Sequence, residues 1–126
     1  MNAFLEHANL TVSDPDKTAA YMADIFGWHV RWQGESIHGG RTVHIGNGTS
    51  YVALYRGQGK QALGPSSYNT RGGFNHLGVV VDDLDAAEDK VAKAGFEPHN
   101  HGDYEPGRRF YFDDHDGIEI EVVSYA

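Results

Sequence analysis

The sequence predicts an α+β domain built from two tandem βαβββ modules. Its 126 residues are a typical length for one domain. Residues 5–28 and 74–97 are similar to each other, each with a strand-like run followed by a helix-like run. Each copy continues into three short strand-like runs punctuated by glycines. We therefore expect a first module at about 1–56, a linker at about 57–73 and a second module at about 74–126.

The first module opens with a strand and a helix. From His7 to Val12 the residues alternate between apolar and polar, as in a half-buried strand. Asp14 is placed to cap a helix whose first residue is Pro15. The apolar residues of that helix lie on roughly one stripe: Ala19, Ala20, Met22, Ala23 and Phe26. The three strand-like runs that follow are Trp28–Gln33, Arg41–Ile45 and Tyr51–Tyr55.

The second module repeats this order. His76–Val81 is strand-like, and a helix opens at Asp82–Asp85, runs to Ala94 and stops at Gly95. Its apolar stripe is Leu84, Ala87, Val91 and Ala94, and its later strand-like runs are Phe96–His99, Arg109–Phe112 and Ile118–Ser124. His76 follows His7 by 69 residues, so the copies keep register. The Gly-, Ser- and Asn-rich segment Gly57–Gly73 is expected to be a linker or a lid.

Composition and charge exclude several classes of partner. Ten Lys and Arg against 18 Asp and Glu give a net charge of -8, which repels phosphate backbones and anionic lipid. We therefore expect no binding to nucleic acid or membranes, and no apolar run approaches the roughly 20 residues of a membrane span. The absence of cysteine excludes disulfides and thiolate metal sites. We expect a cytoplasmic protein whose chemistry depends on its eight histidines and its carboxylates.

Three segments of the chain carry a family resemblance. They are Glu6–Asp14, Asn75–Val79 and Phe110–Glu121. On the basis of these segments and the duplicated module, nearly the whole chain resembles the vicinal oxygen chelate superfamily. This superfamily includes glyoxalase I, extradiol dioxygenases, fosfomycin-resistance transferases and bleomycin-resistance proteins. The resemblance implies one glyoxalase-like domain over residues 1–126, in which two curved sheets surround a shared cavity. Relatives of this size commonly form homodimers, and we expect one here.

The resemblance also implies a divalent metal ion held by His7, His76 and Glu121. Strand parity agrees, because each of these residues alternates with the apolar residues expected under a helix. Two imidazoles and one carboxylate can bind one side of a cation and leave positions open for substrate. Glu119 has the same parity as Glu121, but Glu121 lies four residues after Gly117, which fits the family motif better. Fe(II) is the favoured metal, with Mn, Ni, Zn or Co as alternatives.

The remaining residues favour one reaction type within the superfamily. Glyoxalase I has a further carboxylate where this chain has Ala53, 68 residues before Glu121, which weakens a glyoxalase-type lyase or isomerase. Extradiol ring-cleaving dioxygenases have a Tyr shortly before the Glu ligand, and Tyr111 lies ten residues before Glu121. By this resemblance Tyr111 would hydrogen-bond a substrate oxygen. His101, or less favourably His99, would act as acid and base.

Two alternatives remain open from the sequence. A fosfomycin-resistance-like transferase needs a cationic pocket, for which Arg71, Arg108 and Arg109 are the candidates. A metal-free drug-binding protein like the bleomycin-resistance proteins fits the negative charge and four aromatic residues, which are Trp32, Tyr51, Tyr55 and Phe74. One sequence leaves open whether His7 joins His76 and Glu121 of its own chain or of its partner. His44 occupies the first-module place of Tyr111, and three histidines are expected to be structural or on the surface: His29, His38 and His115.

Overall fold

The computed structural model describes residues 1–36 and 39–126. The prediction for His38 therefore lies outside the described residues. The chain forms two compact units, Met1–Gln61 and Ala62–Ala126, each of which is described by itself. The boundary between the units falls inside the segment that the sequence predicts to be a linker.

The first unit contains one helix and four strands. They are β1 (His7–Thr11), α1 (Pro15–Phe26), β2 (His29–Glu35), β3 (Arg41–Gly46) and β4 (Tyr51–Arg56). The strands form a mixed sheet in the order β1-β4-β3-β2. Strand β1 runs parallel to β4, and the other neighbours are antiparallel. This is the predicted order of strand, helix and three strands.

The second unit repeats this order after a short 3-10 helix at Ser67–Asn69. Its elements are β5 (Leu77–Val80), α2 (Leu84–Lys93), β6 (His99–Tyr104), β7 (Gly107–Asp113) and β8 (Glu119–Ser124). The sheet order is β5-β8-β7-β6, with β5 parallel to β8 and the other neighbours antiparallel. Two mixed four-stranded sheets, each with one helix, confirm the predicted α+β class and the tandem βαβββ modules.

Both helices begin and end where local sequence signals place them. The Asp14 carboxylate accepts hydrogen bonds from the first backbone amides of α1, and Gly27 ends that helix with a left-handed φ of 71°. Asp83 caps α2 in the same way, by accepting from Ala86 N at 3.0 Å. In the described ranges, neither helix is long and apolar enough to cross a membrane.

Each helix covers one face of the sheet in its own unit. In the first unit the buried face carries the apolar members of the alternating strands, such as Leu10 and Leu54. In the second unit Phe110 and Phe112 are fully buried, and burial of each such side chain contributes roughly 1.5–3 kcal/mol. Two details of the predicted helix stripes are wrong, because Ala20 of α1 and Ala94, which follows the last residue of α2, are exposed. The opposite face of each sheet carries the polar residues considered below.

A β-bulge in β6 changes which side chains share a face. His99 pairs with Tyr111, but Gly102 pairs with Arg109, so β6 contains one extra residue between these pairs. Asn100 accommodates it with a left-handed φ of 53°. The strand predicted at Phe96–His99 is wrong in its bounds, because β6 begins at His99 and continues to Tyr104. The bulge also reverses the face on which residues after Asn100 lie.

Candidate functional site

A row of four residues crosses the sheet of the second unit. Gly78 of β5 pairs with Glu121 of β8, Glu121 pairs with Tyr111 of β7, and Tyr111 pairs with His99 of β6. Directly paired residues project to the same face of a sheet. Tyr111, Glu121 and His99 therefore lie together on the face opposite to α2.

Glu121 accepts one hydrogen bond and lies near one cation. The Tyr111 hydroxyl donates to Glu121 Oε1 at 2.6 Å, and Arg109 Nη1 lies 3.6 Å from the same oxygen. The hydrogen bond to Glu121 raises the pKa of Tyr111 to about 12, with burial as a smaller cause. The His76 ring meets the Tyr111 ring edge-on at a centroid distance of 5.7 Å. Tyr111 thus links a predicted carboxylate ligand to a predicted histidine ligand.

His76 also contacts a tyrosine that sequence reasoning missed. The Tyr68 hydroxyl donates a short hydrogen bond to Glu119 Oε1, which raises the pKa of Tyr68 to about 12. Nδ1 of His76 lies 3.5 Å from the Tyr68 hydroxyl and 3.8 Å from Glu119 Oε1. Tyr68 comes from the segment expected to be a linker, which has no periodic pattern that would place it beside His76.

In the first unit, His7 is held by Glu6 and Tyr51. Nδ1 of His7 lies 2.9 Å from Glu6 Oε1, and the imidazole stacks on the Tyr51 ring at 4.8 Å. The Tyr51 hydroxyl donates to Glu6 Oε1 at 3.3 Å. The hydrogen bond from His7 lowers the pKa of Glu6. Arg31 lies over the Tyr51 ring at 4.6 Å, a cation–π contact.

The first unit has a histidine where the second has Tyr111. His44 pairs with Ala53, as Tyr111 pairs with Glu121, so the register agrees with the alignment of Ala53 on Glu121. Ala53 is 2% exposed and has no group that could bind a metal or take a proton. The His44 ring stacks on Tyr51 at 4.6 Å and meets Trp32 at 5.2 Å. Burial lowers the pKa of His44, assisted by the charges of nearby His7 and Arg31.

A cavity of about 400 Å³ lies in the first unit. Its lining residues are Asn9, Trp32, Glu35, Ser36, Thr42 and Tyr55. Asn9 pairs with Ala53 of β4, which places the cavity on the His7 face of the sheet. The volume is within the range of small-molecule sites.

The two histidines considered as acid and base lie on different faces. His99 is in the row with Tyr111 and Glu121, with Nε2 3.5 Å from Asp113 Oδ2. His101 lies on the helix-covered side, where its Nε2 is 2.7 Å from Glu88 Oε1 of α2 and its ring stacks on Phe110. The bulge at Asn100 accounts for this difference. The placement favours His99 over His101, the reverse of the order that the sequence suggested.

Of the two predicted cationic residues on β7, Arg109 is the one that contacts a site residue, Glu121. Its side chain is 13% exposed and lies over the Tyr104 ring at 4.9 Å, next to Glu121. Arg108, the preceding residue of β7, instead reaches Asp85 of α2 at 3.2 Å. Alternation along the strand thus sends these two arginines to opposite faces.

The three predicted metal ligands are divided between the units. His7 belongs to the first unit, and His76 and Glu121 belong to the second. Among the described residues, no group of three or more His, Asp or Glu side chains stands ready to hold a metal ion. The donor chemistry nevertheless fits a divalent cation. Each histidine turns Nδ1 toward a carboxylate, the usual arrangement in proteins when the other ring nitrogen, Nε2, binds a metal.

Comparison with solved structures finds the same fold in bacterial proteins. A glyoxylase/bleomycin resistance protein/dioxygenase domain from Frankia sp. EAN1pec has a TM-score of 0.81 and 26% identity, covering 98% of both chains. Fosfomycin resistance protein FosX from Mesorhizobium loti has a TM-score of 0.73 and 24% identity, covering 98% of this chain and 92% of that one. A mutant of FosX from Listeria monocytogenes, complexed with Mn(II) and 1S,2S-dihydroxypropylphosphonic acid, has a TM-score of 0.73 and 20% identity, covering 98% of this chain and 93% of that one.

The sequence itself matches one family model over most of its length. No curated protein matches it. The model that matches describes the Glyoxalase/Bleomycin resistance protein/Dioxygenase superfamily and covers residues 4–122. The match agrees with the tandem βαβββ units and confirms the resemblance drawn from the motifs. The chain therefore belongs to the Glyoxalase/Bleomycin resistance protein/Dioxygenase superfamily.

Proposed function

We propose that the protein is a divalent-metal-dependent enzyme that acts on a small organic substrate chelating the metal through neighbouring oxygens. The ligands in this proposal are His7, His76 and Glu121. The observation that carries it is the contact of Tyr111 with both Glu121 and His76 on one face of the second sheet. When bound, the metal would supply Lewis acidity or, as Fe(II), oxygen activation.

The proposed ligands do not by themselves select one metal, so coordination geometry and metal availability determine which one binds. Imidazole and carboxylate suit Fe(II), Mn, Ni, Zn and Co alike, and we favour Fe(II). Tyr111 and Arg109 both approach Oε1 of Glu121, so Oε2 is the oxygen that we propose to bind the cation. A FosX mutant from Listeria that has the same fold was crystallised with Mn(II), which supports Mn as one of the candidate metals.

Tyr111 and His99 are the residues that we propose to act on the substrate. The Tyr111 hydroxyl has one proton, which it donates to Glu121 in this structure, and it would turn this proton to a substrate oxygen bound beside Glu121. His99 lies in the same row and can exchange a proton near neutral pH. His101 stays an alternative only if it leaves Glu88 and the helix-covered face.

Within this class we favour the extradiol ring-cleaving dioxygenase type. Tyr111 supports it, and Ala53 counts against a glyoxalase-type lyase or isomerase, because it cannot supply a second carboxylate. A fosfomycin-resistance-like transferase is the other alternative, with Arg109 as the cation nearest to Glu121.

Measuring oxygen uptake during substrate conversion separates the dioxygenase type from the lyase, isomerase and transferase types, which consume no oxygen. Protein reconstituted anaerobically with Fe(II) is mixed with a panel of catechols, and oxygen consumption is followed together with the absorbance of ring-cleavage products. We expect one molecule of oxygen to be consumed for each catechol cleaved, and we expect Tyr111→Phe and His99→Ala to lower the rate of this reaction. Conversion of a hemithioacetal or opening of an epoxide, with no catechol turnover, would assign the protein to the lyase or transferase type instead.

A second candidate from another class is a metal-free drug-binding protein. The cavity of the first unit favours it, because Trp32 and Tyr55 offer aromatic surface and Glu35 a negative charge to a basic aromatic ligand. The test is quenching of Trp fluorescence by basic aromatic drugs in EDTA-treated protein, with Trp32→Phe beside the wild type. Saturable quenching that depends on Trp32, in a protein that takes up no metal, would favour this candidate.

The expected homodimer and the cytoplasmic location stay predictions. Light scattering during size-exclusion chromatography gives the mass in solution, which we expect to be twice the 13.9 kDa of one chain. A mass of one chain would contradict the homodimer.

A further inference from the structure

Each unit contains a histidine, a carboxylate and a tyrosine in mutual contact. We define the first clamp as Glu6, His7 and Tyr51, and the second clamp as Tyr68, His76 and Glu119. We propose that Glu6 and Glu119 are positioning residues that hold His7 and His76 with the proton on Nδ1, so that Nε2 of each ring presents its lone pair. The proposal rests on the proposed function for what Nε2 binds.

The first clamp fixes both the rotation and the tautomer of His7. The 2.9 Å contact between Nδ1 and Glu6 Oε1 requires the proton to lie between them, because a carboxylate can only accept. Stacking on Tyr51 at an interplanar angle of 13° fixes the plane of the imidazole. The Tyr51 hydroxyl bonds the same Oε1 at 3.3 Å, so the tyrosine also steadies the carboxylate.

The second clamp places the same groups around His76. Nδ1 of His76 faces Glu119 Oε1 at 3.8 Å and the Tyr68 hydroxyl at 3.5 Å, while that hydroxyl donates to Glu119. Since the tyrosine gives its proton to Glu119, its oxygen can accept one from Nδ1. Tyr68 and Glu119 thus both favour the Nδ1–H tautomer. The edge-on contact with Tyr111 supports the ring from another side.

The clamps do not follow from simple duplication of a module. Tyr51 lies two residues before Ala53 and Glu119 two before Glu121, so Tyr51 and Glu119 occupy equivalent strand positions. The first clamp takes its tyrosine from that position and its carboxylate from the residue before the histidine. The second takes its carboxylate from that position and its tyrosine from the 3-10 helix at Ser67–Asn69. Non-equivalent residues therefore supply the same chemistry to both histidines, which a purely structural role for the histidines does not require.

The assignment separates the roles of the two carboxylates on β8. Glu119 faces Nδ1 of His76 and accepts from Tyr68, whereas Glu121 accepts from Tyr111. Glu119 is thus the carboxylate that orients a ligand, and Glu121 is the ligand. Loss of such an orienting carboxylate weakens metal affinity about 10–100-fold, whereas loss of a ligand abolishes the site.

Long-range ¹⁵N–¹H NMR of metal-free protein tests the tautomers directly. At about pH 8 an ordinary histidine is neutral, and in water the Nε2–H form is the more common one. We expect His7 and His76 to show the Nδ1–H form. Glu6→Met should move only His7 toward Nε2–H, and Glu119→Met only His76, while Glu→Gln at either position, which keeps an acceptor oxygen, should restore part of the Nδ1–H signal. Glu97→Gln, an exposed carboxylate outside both clamps, is the matched control and should change neither ring.

Titration with Mn(II) or Zn(II) then measures affinity in the same proteins. We expect each Met variant to bind about 10–100-fold more weakly at unchanged stoichiometry. An Nε2–H signal in the wild type, or tautomers that neither Met variant changes, would overturn the proposal. Complete loss of metal in Glu119→Met at saturating metal would also overturn it, because Glu119 would then be a ligand. Nδ1–H signals that depend on Glu6 and Glu119 in a protein that binds no metal would support the clamps and count against the proposed function alone.

Discussion

The hydrogen bond from Tyr111 to Glu121 can be tested by its contribution to stability. Tyr111→Phe removes the donor at 2.6 Å and keeps the ring that meets His76. Hydrogen bonds to charged groups contribute about 1.5–3 kcal/mol, and the partial exposure of both residues places this one near the lower end. We therefore expect metal-free Tyr111→Phe to lose about 1–2 kcal/mol of unfolding free energy.

Urea unfolding of metal-free protein measures this loss, and a double-mutant cycle assigns it to the pair. Tyr111→Phe, Glu121→Met, which removes the acceptor oxygen, and the double variant should give a coupling free energy of about 1 kcal/mol or more. Tyr104→Phe is the control, because the exposed Tyr104 keeps its ring over Arg109. It should stay within about 0.5 kcal/mol of the wild type. Additive effects of the two site variants would refute the contact on which the proposed site depends.

Three further predictions concern the framework that carries the site. Arg41 forms two 2.7 Å hydrogen bonds with Asp16 and lowers the pKa of that carboxyl. The ion pair therefore stabilises the fold above the ordinary pKa of 3.8, and this stabilisation is lost as the pH falls through the lower pKa of the folded state. The difference in unfolding free energy between Asp16→Asn and the wild type should therefore narrow in acid. Phe112→Ala should cost about 3–5 kcal/mol in urea unfolding, because the side chain is fully buried, and a loss below about 1 kcal/mol would contradict that burial. Gly27→Ala should cost about 1–2 kcal/mol because φ is 71°, whereas Gly78→Ala, where a Cβ has open space and φ is ordinary, should change the melting temperature little.

Alternation along the strands made much of the second sheet predictable. The apolar side chains that alternate with Glu121 belong under a helix, so Glu121 had to lie on the other face, and the structure places it in a row with Tyr111. The offset between the modules likewise predicted that Ala53 replaces Glu121 in the first sheet. These inferences succeed because the period of two in a strand is fixed by backbone geometry.

Two features of the site had no signal in the sequence. The bulge at Asn100 adds one residue to β6 without a glycine, since asparagine tolerates a left-handed φ, and it turns His101 toward α2. Tyr68 reaches Glu119 from a segment without helical or strand periodicity. Its position depends on tertiary contacts, which local pattern does not encode.

Metal analysis tests the central claim most directly. Untagged protein is reconstituted anaerobically with Fe(II), Mn(II), Ni(II) or Zn(II), freed of excess metal and assayed for bound metal, with His76→Ala, Glu121→Ala and the exposed-histidine control His29→Ala alongside. We predict about one metal ion per chain in the wild type and the control, and loss of the metal in both ligand variants. No metal in the reconstituted wild type, or metal retained in both ligand variants, would contradict the proposal that His7, His76 and Glu121 form a metal centre.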